Sequence, residues 1–244
     1  MNIIILGFGK VGSEIQKICQ KNQIPIKAIV SPNNRIATHK NIADVEIKKG
    51  DTVIDFSHPD AVIQNTKTVA ASGANIVVGT TGWGKNRESI LNIISNSDIG
   101  FAYTPNYLPE VHTFWSTIRF LVEEMEAGNN NYSAKIFEIR LATKNTPSGT
   151  AKKTAEILCG KKNIQFDINN DFQCSYTGEK ALDIHIDISS DLGNFALHYE
   201  SDDVLTNNKI YALMAIKTTF WLQKKKGFYE LDTKMIQEIK NISL

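Results

Sequence analysis

Near the start of the chain, Asn2 leads into the unbroken apolar run Ile3-Ile4-Ile5-Leu6. The run is too short to span a membrane and has the length of a strand buried on both faces of a parallel sheet. Ile15 and Ile18 then recur at helical spacing. Apolar, β-rich segments return at Ile26 to Val30, Asp51 to Ser57, Asn75 to Val78 and Gly100 to Tyr103. Helical patterns fall between them, from His58-Pro59-Asp60 through Ala71 and from Arg87 to Ser95. Such alternation predicts a parallel sheet with helices on both faces, and ligands at the carboxyl ends of its strands.

After about residue 108 the pattern changes. Val111 to Glu126 reads as a long helix, Lys135 to Leu141 as an alternating strand, and Ala151 to Leu158 as a helix. Strand candidates follow at Gln165 to Asp167, Asp183 to Ile188 and Phe195 to Tyr199. The strict period of two at Asp183 to Ile188 predicts a sheet with one wet face. Ile210 to Gln223 reads as an apolar-rich helix leading back to the first domain, with Lys224-Lys225-Lys226 as its solvated end and Gly227 as its C-cap. The expected fold is α/β. A Rossmann-type dinucleotide-binding domain comprises residues 1 to 106 and 217 to 244. An α+β substrate-binding and oligomerisation domain with a mixed sheet comprises residues 107 to 216.

Two glycine-bearing turns supply candidate chemistry. Gly7-Phe8-Gly9-Lys10-Val11-Gly12 follows the first strand and opens a helix, the G-x-G-x-x-G order of a dinucleotide site. Gly7 permits the tight turn, Gly9 the approach of a pyrophosphate, and Gly12 close packing of helix on strand. An NAD site usually has an acidic residue after the second strand for the ribose 2′-hydroxyl, yet no Asp or Glu lies between Glu14 and Asp44. Ser31, Asn33 and Arg35 stand there instead, and Arg35 can pair with a 2′-phosphate. The expected cofactor is NADPH or NADH, with NADPH favoured. The second turn, Lys144-Asn145-Thr146-Pro147-Ser148-Gly149-Thr150-Ala151, opens a helix. Its backbone N–H groups, the Ser148 and Thr150 hydroxyls and the Lys144 charge make a site for a carboxylate or phosphate.

Composition narrows the classes. A net charge of +1 gives no broad basic surface, so no nucleic-acid partner is expected. No stretch of about twenty apolar residues occurs, and no leader-like segment precedes the first strand, so no membrane partner is expected. Three cysteines, Cys19, Cys159 and Cys174, are too few and too dispersed for a disulfide framework or a zinc site. They read as reduced thiols of a cytoplasmic protein, and no metal is expected. His185 and His198 read as structural or surface groups on strands. His39 and His112 have no motif around them, and His58 lies beside the cofactor loop.

These motifs resemble the 4-hydroxy-tetrahydrodipicolinate reductase (dihydrodipicolinate reductase) family of lysine and diaminopimelate synthesis, over nearly the whole chain. The resemblance rests on Gly7 to Gly12, Asp55-Phe56-Ser57-His58-Pro59, Gly79-Thr80-Thr81-Gly82, Asn106-Tyr107 and Pro147-Ser148-Gly149-Thr150-Ala151. It implies that Gly7 to Gly12 hold the cofactor pyrophosphate. Gly79, Thr80, Thr81, Thr104, Pro105, Asn106 and Tyr107 would border its ribose and nicotinamide. Gly149 and Thr150 would bind a carboxylate of a cyclic, imine-like dicarboxylate, and Lys144 would give a proton or hold a carboxylate. It also implies a homotetramer. The chain departs from the family in Glu138-Ile139-Arg140-Leu141-Ala142-Thr143-Lys144, where the family has two adjacent histidines in place of Arg140 and Leu141. Arginine stays charged and cannot donate a proton near neutral pH, although Arg140 can hold a carboxylate. Lys144 thus becomes the candidate proton donor. Three readings stay open: an active reductase, a diverged non-catalytic nucleotide-binding homologue, and a Rossmann dehydrogenase for another small carboxylated substrate.

Overall fold

The computed structural model describes residues 1–143, 146–178, 182–201 and 204–244, without the side chains of 178, 204 and 205. It divides into two compact units, Met1–Pro109 with Asn207–Leu244, and Glu110–Thr206.

In the first unit the elements run β1 (Ile3–Leu6), α1 (Lys10–Lys21), β2 (Ile26–Val30), β3 (Thr52–Asp55), α2 (Val62–Ser72), β4 (Asn75–Val78), α3 (Arg87–Ser95) and β5 (Gly100–Tyr103). The chain then passes through α4 (Pro109–Ala127), β6 (Tyr132–Leu141), α5 (Gly149–Leu158), β7 (Ile164–Gln165), β8 (Phe172–Gly178), β9 (Leu182–Ser190) and β10 (Gly193–Ser201). It ends with α6 (Val204–Trp221), β11 (Gly227–Glu230) and α7 (Thr233–Lys240).

Six parallel strands in the order β11-β5-β4-β3-β1-β2 form the first sheet. From β1 the chain winds one way to β2 and the other way to β3, which makes the carboxyl end of β1 a topological switch point. Every residue of β1 is buried, as expected of a strand covered on both faces. On one face, α1 docks Ile15 and Cys19 against Ile3, Ile5 and Ile54. On the other, Ile90 and Ile94 of α3 and Val62 and Val69 of α2 cover Ile4, Val53 and Ile76.

Two expectations change here. Ala212, Met214, Ala215 and Ile216 belong to the core under β1, so residues 207 to 216 pack with the first unit rather than the second. Gly227 is not a helix C-cap. With φ +98° it opens β11, and its N–H donates to the Ile99 carbonyl at 2.9 Å. The sheet edge captures this segment, and the left-handed residue after α6 is Lys224, at φ 64°.

The second unit holds a mixed sheet in the order β10-β9-β6-β7, with β8 also paired to β6. β9 pairs antiparallel with both β6 and β10, while β7 and β8 run parallel to β6. Ile184, Ile186 and Ile188 are buried, whereas Asp183, His185 and Asp187 point to the wetter face. Among the described residues, no helix is long and apolar enough to cross a membrane.

Candidate functional site

A cleft of about 610 Å³ opens at the switch point of the parallel sheet, lined by Gly7, Phe8 and Gly9, by Val30 to Asn34, by Lys40 to Ile42 and by Phe56 to His58. Gly7 has φ +84°, and a Cβ there would collide with the Phe56 carbonyl oxygen. Only glycine fits the turn. A Cβ at Gly9 would meet nothing within 4 Å, so the backbone is bare toward the cleft. Gly9 is also the N-cap of α1. It makes no side-chain cap, and the first turn contains no acidic residue. The partial positive charge of that helix end is therefore not offset by a carboxylate. Lys10 and Val11 form the first turn of α1, and Gly12 is buried beneath it. The bare glycine, the uncapped helix end and the cleft fit a pyrophosphate.

The far wall of the cleft is made by tertiary pairing. Val30 bridges His39, and the Ser31 N–H donates to the His39 carbonyl at 3.0 Å. This folds the loop back so that Lys40 lines the cleft. Asn34 donates to the Phe8 carbonyl at 3.1 Å, tying the same loop to the glycine turn. Arg35 is exposed and does not line the cleft. The cation at this wall is Lys40, and sequence reading missed it because strand pairing, not chain proximity, brings it there.

Beneath the cleft lies Asp55, fully buried at the end of β3. The Ser57 N–H and hydroxyl donate to one oxygen at 2.9 and 2.6 Å, as does the Thr80 hydroxyl at 3.1 Å. Asn65 of α2 donates to the other at 2.8 Å. Burial pushes the carboxyl above its ordinary range, and these hydrogen bonds oppose the shift. The signal for this hub was visible as an aspartate ending an apolar strand.

The remaining expected cofactor residues do not line this cleft. Thr80 is buried on Asp55, and Trp83 pins the turn by donating to the Thr80 carbonyl at 2.8 Å. Thr81 is exposed beside it. Thr104, Asn106 and Tyr107 turn their side chains inward. The Thr104 hydroxyl donates to the Asn106 carbonyl at 2.7 Å, and the Asn106 side chain accepts from the Leu108 N–H at 2.8 Å. Tyr107 is a core residue whose hydroxyl donates to the Val78 carbonyl at 3.2 Å. Its large apolar ring gains more from the core than from a wet site. Pro105 is half-buried.

In the second unit, Ser148 caps α5 by accepting from the Ala151 N–H at 2.9 Å. The Ser148 N–H donates to both oxygens of the buried Glu138, at 3.2 and 3.1 Å. Gly149 and Thr150 form the first turn of α5, which contains no acidic residue. Arg140 donates to the Thr146 carbonyl at 3.1 Å and sits 3.9 Å from Glu138. Its buried Nε has no hydrogen-bond partner among the described residues. The structure thus gathers Arg140, Ser148, Gly149 and Thr150 at one helix end. Lys144 lies outside the described residues.

Residues 1–107 match the family model "Dihydrodipicolinate reductase, N-terminus". A 4-hydroxy-tetrahydrodipicolinate reductase of Christiangramia forsetii is 28% identical over 99% of this chain and 100% of its own length. One from Methanocaldococcus jannaschii is 30% identical over 48% of this chain and 42% of its own. Among solved structures, dipicolinate-bound dihydrodipicolinate reductase from Paenisporosarcina sp. TG-14 shares the fold with TM-score 0.65, at 16% identity over 94% of this chain and 97% of that one. Aspartate dehydrogenase from Thermotoga maritima shares it with TM-score 0.52, at 13% identity over 94% and 99%. The glycine turn and its open helix end lie inside the segment that matches the family model, and the sequence likeness to the Christiangramia forsetii 4-hydroxy-tetrahydrodipicolinate reductase spans both units.

Proposed function

We propose that this protein catalyses the NAD(P)H-dependent reduction of 4-hydroxy-tetrahydrodipicolinate to tetrahydrodipicolinate in lysine and diaminopimelate synthesis. The observation that carries the reading is the uncapped, acid-free N-terminus of α1 opening on the cleft. Its N–H groups hold the pyrophosphate at Gly7 to Gly12. Lys40 at the far wall supports a preference for NADPH, because a 2′-phosphate gains a full positive partner there. The turn at Gly79 to Thr81 and the segment Thr104 to Tyr107 follow strands β4 and β5 and offer chiefly backbone groups to the rest of the cofactor. When bound, the reduced nicotinamide supplies a hydride. In the second unit, the N-terminus of α5 and the Arg140 guanidinium hold a substrate carboxylate. Lys144 gives the proton.

The active form we infer is a homotetramer in the cytoplasm. Exposed Leu192 and Phe195 beside the β9–β10 hairpin support assembly, and three free thiols support a reducing compartment. Burial pushes the Cys19 thiol up to about 12, which leaves it inert. Light scattering tests the assembly.

The reaction is tested by following loss of reduced-nicotinamide absorbance with substrate made in situ from pyruvate and aspartate semialdehyde. Substrate-dependent turnover is expected, and Lys144→Ala is expected to lower it about a hundredfold. A loss under about threefold removes Lys144 from proton transfer. No turnover by a protein that still binds NADPH overturns the reductase reading.

A further inference from the structure

On the wetter face of the second unit's sheet, the register sets His185 of β9 directly opposite His198 of β10, with Asp183 opposite Glu200. The two imidazoles stack, with ring centroids 3.9 Å apart and 14° between planes. Both Nε2 atoms lie 2.9 Å from the same Asp183 oxygen. One ligand atom from each of Asp183, His185 and His198 lies within 4.8 Å of the others. Glu200 adds an oxygen 3.7 Å from the His198 nitrogen. Two aromatic nitrogens and a carboxylate oxygen converging from adjacent strands are the donor set preferred by borderline first-row divalent ions.

We propose that Asp183, His185 and His198 form a binding site for a zinc-type divalent cation, with Glu200 offering a fourth ligand. None of these residues lines the nucleotide cleft or belongs to α5. Each nitrogen lone pair lies in its ring plane, so binding one ion swings the two stacked rings apart and leaves each ring's proton on Nδ1. Bound there, it links β9 to β10 across the hairpin and stabilises the folded state by mass action.

Zinc sulfate is titrated into chelator-treated full-length protein with a competing fluorescent indicator, and cobalt chloride is added separately to read its visible ligand-field absorption. The expected result is one ion per chain, with the cobalt spectrum of a low-coordinate site holding nitrogen ligands and a zinc-dependent rise in melting temperature. His185→Ala and His198→Gln are each expected to weaken binding about tenfold or more and to abolish the melting shift, while Asp187→Asn on the same face keeps both. Both imidazoles are nearly half-exposed, and circular dichroism of the variants confirms their fold. Should one variant fail to fold, the other decides by the same readings. Absence of stoichiometric binding, or binding unchanged in a folded histidine variant, overturns the site and leaves two imidazoles gathered on one carboxylate. Nucleotide binding and turnover do not enter this test.

Discussion

Gly9 and Lys40 separate two demands on single residues, shape and charge. At Gly9 a side chain has room in the fold, because its Cβ would meet nothing within 4 Å, but that room faces the cleft. Gly9→Asp is therefore expected to leave the urea midpoint nearly unchanged and to weaken NADPH binding about a hundredfold, by setting a carboxylate against the pyrophosphate. Calorimetry measures it, and affinity within about threefold of wild type would remove the helix end from cofactor binding. At Lys40 the space stays and only the charge changes. Lys40→Glu is expected to raise the Michaelis constant for NADPH about tenfold, a loss of roughly 1.4 kcal/mol, and to move that for NADH less than twofold. Equal effects on both cofactors would mean that Lys40 does not meet the 2′-phosphate. Arg35, exposed and outside the cleft lining, is expected to tolerate substitution.

At the scale of elements, Asp55 joins the end of β3 to α2 through Asn65 and to the turn after β4 through Thr80. One buried carboxyl therefore ties the ends of β3 and β4 to the start of α2 beneath the cleft. Burial raises its folded pKa above the value in the unfolded chain. A carboxyl shifted upward binds its proton more tightly when folded. Its stabilising contribution is thus full below the ordinary aspartate value of about 4 and is lost as pH rises through the folded value. The stability of wild type relative to Asp55→Asn is expected to fall as pH rises from about 4 toward neutrality. Denaturant titrations at several pH values measure the difference, and a difference independent of pH would show that the four hydrogen bonds cancel the cost of burial. Strand pairing also governs β11, which joins β5 in parallel register from Gly227 to Glu230 and stacks Phe228 on Phe101 at 5.0 Å. The preceding lysine run masks this strand in the sequence.

Across the whole molecule, each unit has its own sheet, and the chain crosses between them inside α4 and α6. Binding of a nucleotide to the folded first unit adds stability by linkage. At a free NADPH concentration about one hundred times the dissociation constant, the unfolding free energy is expected to rise by about 2.7 kcal/mol. Gly9→Asp should lose this gain, and an equal gain in that variant would place the nucleotide elsewhere. The sequence by itself determined the alternating strands and helices of the first unit, the glycine turn, the helix that follows Pro147 and the period-two face of β9. Each of these is a local matter of spacing, backbone freedom or capping, and helix α3 matches its expected bounds to the residue. Only the tertiary structure decided that Lys40 rather than Arg35 reaches the cleft wall, because the bridge from Val30 to His39 is made across a loop. It turned Tyr107 into the core, where burying an aromatic ring outweighs the local motif. It also set His185 opposite His198, since the register between two strands is fixed by which faces they bury and not by either strand alone.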